Sequence, residues 1–472
     1  MSTGFPVTRR TFLRCAAAAA PALAFGPRFG AWQASEDPWS RADAIVRSIV
    51  VPTFKAGDFD IRKFGAVGDG KTSSTAAIRK AIAACHAAGG GRVIVPRGRF
   101  ITGALRLESN VHLHLDGRST LAFSHDHREY PIVFTRWEGV ELMNFSPFIY
   151  AYEAENIAIT GGGTLDGQAG PNHWWNWRTP SPGNPGRDRA ARTRLIDMQA
   201  KGVPVAERVF GENSYLRPNF IQPYRSRNIL IDGVTIINSP MWEIHPVLSR
   251  SVTVRNVRIS SHGPNNDGCN PESCRDVLID GCSFDTGDDC IALKSGRNDD
   301  GRRLNVPVEN VVIRNCTMKD GHGGVVIGSE ISGGARNIFA EKCEMNSPQL
   351  DRALRIKTNA VRGGVIEGVY MRDVTVGEVA EAVVTIDFFY EEGEAGKYLP
   401  TVRDINVRNV TSRKSQYALL LRGFKNAPIS GVRIENCTFE GVQKDDRLEN
   451  VKGVELRNVR VNGVLRNEVL TK

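Results

Sequence analysis

Residues 277–290 read Val-Leu-Ile-Asp-Gly-Cys-Ser-Phe-Asp-Thr-Gly-Asp-Asp-Cys. The opening alternation of apolar and polar residues has the period of a strand with one buried side. The pattern hydrophobic-x-hydrophobic-x-(Gly/Asn/Asp/Lys)-(Val/Cys) recurs along the chain. Its last residue falls at Val234, Val257, Cys282, Cys316, Cys343, Val374, Val410, Cys437 and Val459. The intervals are 23, 25, 34, 27, 31, 36, 27 and 22 residues. Self-similarity at such periods marks a solenoid, in which a coil that cannot bury its apolar side alone buries it against its neighbours. No copy holds a helical period, and the Asn, Gly and Asp residues after each strand are turn formers. The expected architecture is all-β: a single-stranded, right-handed parallel β-helix.

Before the first clear coil, Thr75 to His86 has helical composition, and Gly89-Gly90-Gly91 ends it. A short helix capping the open N-terminal end is expected there, because a terminal repeat needs a polar cover. The glycine run lacks a following Lys-Ser/Thr and precedes a strand, so it is no phosphate loop. The stretch 167–218 interrupts the repeat with Trp174, Trp175 and Trp177, followed by Pro-, Gly- and Arg-rich sequence. A loop of this length is functional or disordered. The clustered tryptophans favour an ordered, sugar-facing wall over a disordered one; packing against the coil edge is the bland reading.

The chain has 472 residues, 41% of them hydrophobic, enough for a large core. After the N-terminus no stretch approaches the ~18 apolar residues of a membrane span. Residues 1–34 have the form of an export signal: Arg9-Arg10, an Ala-rich apolar run, then small residues near Ala31 and Ala34. The paired arginines resemble the twin-arginine type, whose cargo crosses folded. This makes 35–472 the β-helix domain and predicts an exported protein, periplasmic or extracellular. Removing Arg9, Arg10, Arg14 and Arg28, with no acidic residue among 1–34, takes the net charge from +9 to +5. A mildly basic surface suits an acidic polymer; no nucleic-acid partner is expected. Of nine cysteines, Cys282, Cys316, Cys343 and Cys437 share the anchor slot with Val, which marks small buried hydrophobes. Cys269, Cys274 and Cys290, near the acidic cluster, remain candidates for pairing. No Cys or His spacing suggests structural zinc, and no metal or cofactor is expected.

The chemistry lies in the turns. Asp288 and Asp289 follow Cys282 by six and seven residues, and His322 follows Cys316 by six. Equal offsets from equivalent core residues stack in a coil repeat, about 4.8 Å apart. Asp267, in Gly-Pro-Asn-Asn-Asp-Gly-Cys, belongs to the coil before. Three aspartates and an imidazole on one patch suit glycosidic hydrolysis, which needs an acid for the leaving oxygen and a base for water. Crowded carboxylates raise one another's proton affinity, as the acid requires. A turn or a calcium ligand is the bland reading of either acidic segment alone. Arg355 and Lys357, two apart on an expected strand, share a face one coil beyond His322 and suit a carboxylate on the sugar.

At these residues the chain resembles family 28 of the glycoside hydrolases, the polygalacturonases. The family pattern Asn-Thr-Asp, Gly-Asp-Asp, Gly-His-Gly, Arg-Ile-Lys meets Asn265-Asn266-Asp267, Gly287-Asp288-Asp289, Gly321-His322-Gly323 and Arg355-Ile356-Lys357 in order. The resemblance spans about 58–465, and its one departure, Asn266 for Thr, bears on substrate fit. It implies that Asp288 is the general acid, that Asp267 and Asp289 activate water with inversion, and that His322 tunes Asp288. It further implies that Arg355 and Lys357 bind galacturonate, that Asn265 contacts substrate and that Tyr390 matches a subsite tyrosine. The expected activity is cleavage of α-1,4-galacturonosyl linkages in a pectic polysaccharide. It is expected to be exo-acting, releasing galacturonate units, because the 167–218 insertion is long enough to wall off one end of the groove. A rhamnogalacturonan hydrolase of the same family, a calcium-dependent pectate lyase and a non-catalytic polysaccharide-binding β-helix are the alternatives.

Overall fold

The computed structural model describes residues 37–180 and 186–472; the export signal expected at 1–34 lies outside the described residues. Residues 38–472 form one compact unit, and it is the parallel β-helix the repeat predicts. Successive first strands stack in register: Ile229, Val252, Val277, Val311, Ile338, Val369, Ile405 and Val432 are partners from coil to coil. All nine anchor residues are buried in one continuous core.

The residue before each anchor explains the rest of the pattern. Gly233, Asn256, Gly281, Asn315, Lys342, Asp373, Asn409, Asn436 and Asn458 all have positive φ. Each coil bends at that point through the left-handed region, which Gly adopts freely and Asn or Asp tolerates. After the bend a second short strand runs to a turn. A third strand then closes the coil in the stack Ile291–Leu293, Val325–Gly328, Arg352–Lys357, Ala382–Asp387, Tyr417–Arg422 and Arg447–Glu449. Bridges Ile221↔Ile244, Ile244↔Cys269 and Cys269↔Ile291 extend this third face toward the N-terminal coils. The turn between second and third strands is where the acidic segments fall.

Among the described residues four α-helices decorate the solenoid. α1 (Pro38–Ser48), which the repeat did not predict, lays Trp39, Ala42 and Ile45 on Leu278, Val312 and Phe339. Those three residues stack in register on the outward side of their strands. α2 (Thr75–Ala87) is the expected cap and turns Ala77, Ile78, Ala81, Ile82 and Cys85 inward against the first coils. α3 (Arg189–Ala200) lies inside the 167–218 insertion, so that stretch is not a plain loop. α4 (Asn298–Leu304) follows the third strand of the Asp288 coil. An antiparallel hairpin, Ile132–Trp137 with Val140–Phe145, also departs from the parallel stack. Its tip, Glu138-Gly139, has positive φ at both residues, the geometry of a tight two-residue turn.

One open possibility closes and one expectation is overturned. Cys269, Cys274 and Cys290 form no disulfide; they are free and buried like the other described cysteines. Trp174 does not face a sugar: it is buried against Tyr130 and Phe148 in the core. Trp177 packs on Phe145 and Tyr215. The burial of large aromatic area against an available coil edge decided this.

Candidate active site

Equal offsets do stack. The His322 amide donates to the Asp288 carbonyl at 3.1 Å, and its ring Nδ1 lies 3.0 Å from Asp288 Oδ1. The Asp289 amide donates to the same Oδ1 at 2.9 Å. Asp267 enters from the previous coil, where the Gly268 amide donates to the Asp289 carbonyl at 3.0 Å. One oxygen from each of Asp267, Asp288 and Asp289 lies within 4.8 Å of the other two. The patch expected from the sequence therefore exists, on the turn that leads into the third strands.

The cations arrive from strand Arg352–Lys357. Lys357 Nζ is 2.7 Å from Asp289 Oδ2, and Arg355 reaches Asp289 Oδ1 at 3.5 Å and the His322 carbonyl at 3.4 Å. Period two thus points both at the carboxylates. The ring of Tyr390 stands beside them, 5.1 Å from Lys357 Nζ and 5.6 Å from the Arg355 guanidinium carbon. Tyr390 therefore joins the cation pair.

The Asn265-Asn266 segment builds the loop that holds Asp267. Asn265 has φ +56°, and its Oδ1 accepts from Arg217 at 2.7 Å. Fully buried Arg217 also donates to the carbonyls of Pro240 and Pro264 at 2.8 and 2.6 Å. Asn266 is buried; its Oδ1 accepts from Ser261 Oγ and the Gly263 amide, and its Nδ2 donates to the carbonyls of Ser239 and Met241. Asn in place of Thr is thus a brace of the loop, not an adjustment to substrate. Trp175 supports the same loop: its Nε1 donates to the Ser239 carbonyl at 2.8 Å, and a Cβ on Gly263 would meet the indole at 2.2 Å.

Burial and the Asp288 charge push Asp267 well above the usual carboxylate range, against the pull of Lys294. Burial raises Asp288 too, but the hydrogen bond and charge of His322, with Lys357 and Lys294 behind it, outweigh that and hold it well below that range. The bond to Asp288 in turn raises His322 to about 9, against burial. The carboxyl whose proton affinity rises is therefore Asp267, through burial first and the Asp288 charge second, and not Asp288 as crowding alone suggests.

Sequence reasoning missed the buried groups behind the patch. Lys294 Nζ lies 3.6 Å from Asp267 Oδ2, 3.0 Å from Glu330 Oε2 and 4.4 Å from the Trp242 ring centroid. The signal was present: Lys294 follows Ile291 by three, as Lys357 follows Leu354, and the two strands are joined in register through Val325. Gly328 stands between them, where a Cβ would lie 2.0 Å from the Lys357 carbonyl. Beyond Glu330, Arg297 pairs with Glu138 at the hairpin tip and with Glu391, each at 3.2 Å. Arg192 of α3 pairs with the same Glu138 at 2.7 Å. Ion pairs thus join insertion, hairpin, α4 and the segment after Phe388 into one wall adjoining Lys294.

Comparison with known proteins agrees. Residues 210–460 match the family model described as Glycosyl hydrolases family 28. A protein of Vitis vinifera named "Probable polygalacturonase" is 30% identical over 397 residues, 80% of this chain and 73% of that one. An exo-poly-alpha-D-galacturonosidase of Dickeya chrysanthemi is 28% identical over 75% of this chain and 62% of its own length. The crystal structure of a hyperthermoactive exopolygalacturonase from Thermotoga maritima superposes with a TM-score of 0.87 at 42% identity, covering 92% of this chain and all of that one. With the four motifs gathered on one patch of a β-helix, this chain belongs to family 28 of the glycosyl hydrolases.

Proposed function

We propose that the enzyme is an exported polygalacturonase. It cleaves α-1,4-galacturonosyl linkages of pectic chains with inversion and works from a chain end. One observation carries the reading: three aspartates converge beside Arg355 and Lys357, so that acid, base and a carboxylate receptor share one patch. In this mechanism Asp288 protonates the leaving oxygen, while Asp267 and Asp289 hold and deprotonate the attacking water. His322 holds Asp288, and Arg355, Lys357 and Tyr390 hold the carboxylate of the sugar beside the cut. Asn265, braced by Arg217, lines the approach.

The carboxylates are closer than the roughly 6.5–9.5 Å general for inverting enzymes, so stereochemistry must be read from the anomer first formed. Exo action is supported by the wall that joins α3, the hairpin and Glu391, and by the exo-acting relatives. Export is supported by the paired arginines, with 35–472 as the mature catalytic domain. The free buried thiols fit a chain that folds in a reducing compartment before it crosses. No helix among the described residues is long and apolar enough to span a membrane.

Digestion of polygalacturonate and rhamnogalacturonan, with products identified by mass and by proton NMR of the new anomer, tests the substrate. Monogalacturonate released with slow loss of viscosity is expected. Rapid viscosity loss at low cleavage would reject exo action. Products carrying an ultraviolet-absorbing double bond, abolished by chelator, would replace hydrolysis with elimination. Release confined to rhamnogalacturonan would reassign the substrate.

A further inference from the structure

Each carboxylate of the patch faces its own cation: Asp288 faces His322, Asp289 faces Lys357 and Arg355, and Asp267 faces Lys294. Lys294 is the most enclosed of these cations, ahead of Lys357 at 6% and Arg355 at 11% side-chain exposure. It is 3% exposed and enclosed by Asp267, Glu330 and the Trp242 ring. Arg355 and Lys357, by contrast, are the pair assigned to the sugar carboxylate.

Their hydrogen bonding leaves one oxygen free on each of two neighbours. Asp288 Oδ1 is taken by His322 and the Asp289 amide. Asp267 Oδ2 is taken by Asn270 Nδ2 at 2.9 Å and faces Lys294, while its buried Oδ1 has no hydrogen-bond partner. Hydrolysis needs the proton on Asp288 and the anion on Asp267, the reverse of the arrangement these charges favour.

We propose that Lys294 is a positioning residue: it lets one proton, shared by Asp267 and Asp288, pass to Asp288 when a galacturonate carboxylate engages Arg355 and Lys357. The inference rests on the hydrolase reading above. The O–H bond at Asp267 Oδ1 breaks, one forms at Asp288 Oδ2, directly or through one water, and no electrons change hands. An incoming carboxylate shares the Lys357 charge, one of those that hold Asp288 as an anion. Asp288 then gains proton affinity. Lys294, enclosed, keeps its full charge beside Asp267. It opposes the buried Glu243, Asp289 and Asp288, the carboxyls that face Asp267.

The test is the pH dependence of kcat/KM on polygalacturonate for the wild type, Lys294→Met, Lys294→Arg and Glu330→Gln. Loss of a neighbouring opposite charge shifts a carboxyl by about one pH unit. Lys294→Met should lower kcat/KM about tenfold and move the basic limb, where the shared proton leaves, up by about one unit. Lys294→Arg should restore the limb. Glu330→Gln frees Lys294 to act on Asp267 and should move the limb the other way. His322 titrates on the same side, but the charges that set it are Asp288, Asp289 and Asp351, so these shifts report the Asp267–Asp288 pair, on both of which Lys294 acts. A limb unmoved in Lys294→Met with a native circular dichroism spectrum would overturn the inference and leave a structural role. If that variant does not fold, a Glu330→Gln limb that stays in place or rises overturns it equally. No hydrolysis by the wild type would bring down the hydrolase reading itself, and the inference with it.

Discussion

Asp288→Asn separates proton donation from architecture. The side chain of Asp288 is 17% exposed, and its Oδ1 accepts from the Asp289 amide at 2.9 Å and from His322 at 3.0 Å. An amide oxygen keeps both contacts. The substitution removes a charge that repels Asp267, and leaves behind His322, whose side chain is 52% exposed and therefore screened by water. These effects oppose each other, so folding stability should change by no more than about 1 kcal/mol. Catalysis should fall much further. General-acid removal costs at least about a hundredfold, or about 2.7 kcal/mol in the barrier. The assay compares two substrates: polygalacturonate, whose leaving sugar hydroxyl needs a proton, and an aryl galacturonide whose nitrophenolate leaves without one. The variant should lose at least a hundredfold on the first and less than about tenfold on the second. Equal losses on both would refute Asp288 as the acid, as would polygalacturonate hydrolysis within tenfold of wild type.

Further perturbations check other parts of the site and scaffold. The His322–Asp288 pair should stabilise the fold fully between the ordinary values of its members, 3.8 and 6.5, and lose its effect as pH rises through about 9, where folded His322 deprotonates. Thermal midpoints of wild type and His322→Gln, followed against pH, should therefore converge above pH 9. Lys357→Met leaves buried Asp289 with only the longer Arg355 contact; it should cost about 3 kcal/mol in urea unfolding and raise KM for polygalacturonate. Cys316→Val, in a slot that other coils fill with Val, should cost less than about 1.5 kcal/mol by the same measurement. A larger loss would show that the stacked thiols of Cys282, Cys316 and Cys343 matter beyond their volume.

The sequence by itself determined the coil. A left-handed bend before each buried anchor requires Gly, Asn or a tolerant residue, and the following core slot requires Val or Cys. That two-residue signature is local, and it survives in coils of very different length. It also determined which turn residues meet, because residues at one offset from the anchor stack: Asp288 lies on His322, six residues past Cys282 and Cys316. The tertiary structure alone decided which carboxylate each cation reaches and which carboxyl gains proton affinity. Field strength at Asp267 depends on burial and on Asp288, Lys294, Lys357 and Glu243, which come from different coils. It also decided the fate of the tryptophans and cysteines: packing against a coil edge depends on what stands opposite, which no local pattern records. The helix at Pro38–Ser48 belongs to the same class, although outward apolar residues at Leu278, Val312 and Phe339 had marked the face it covers.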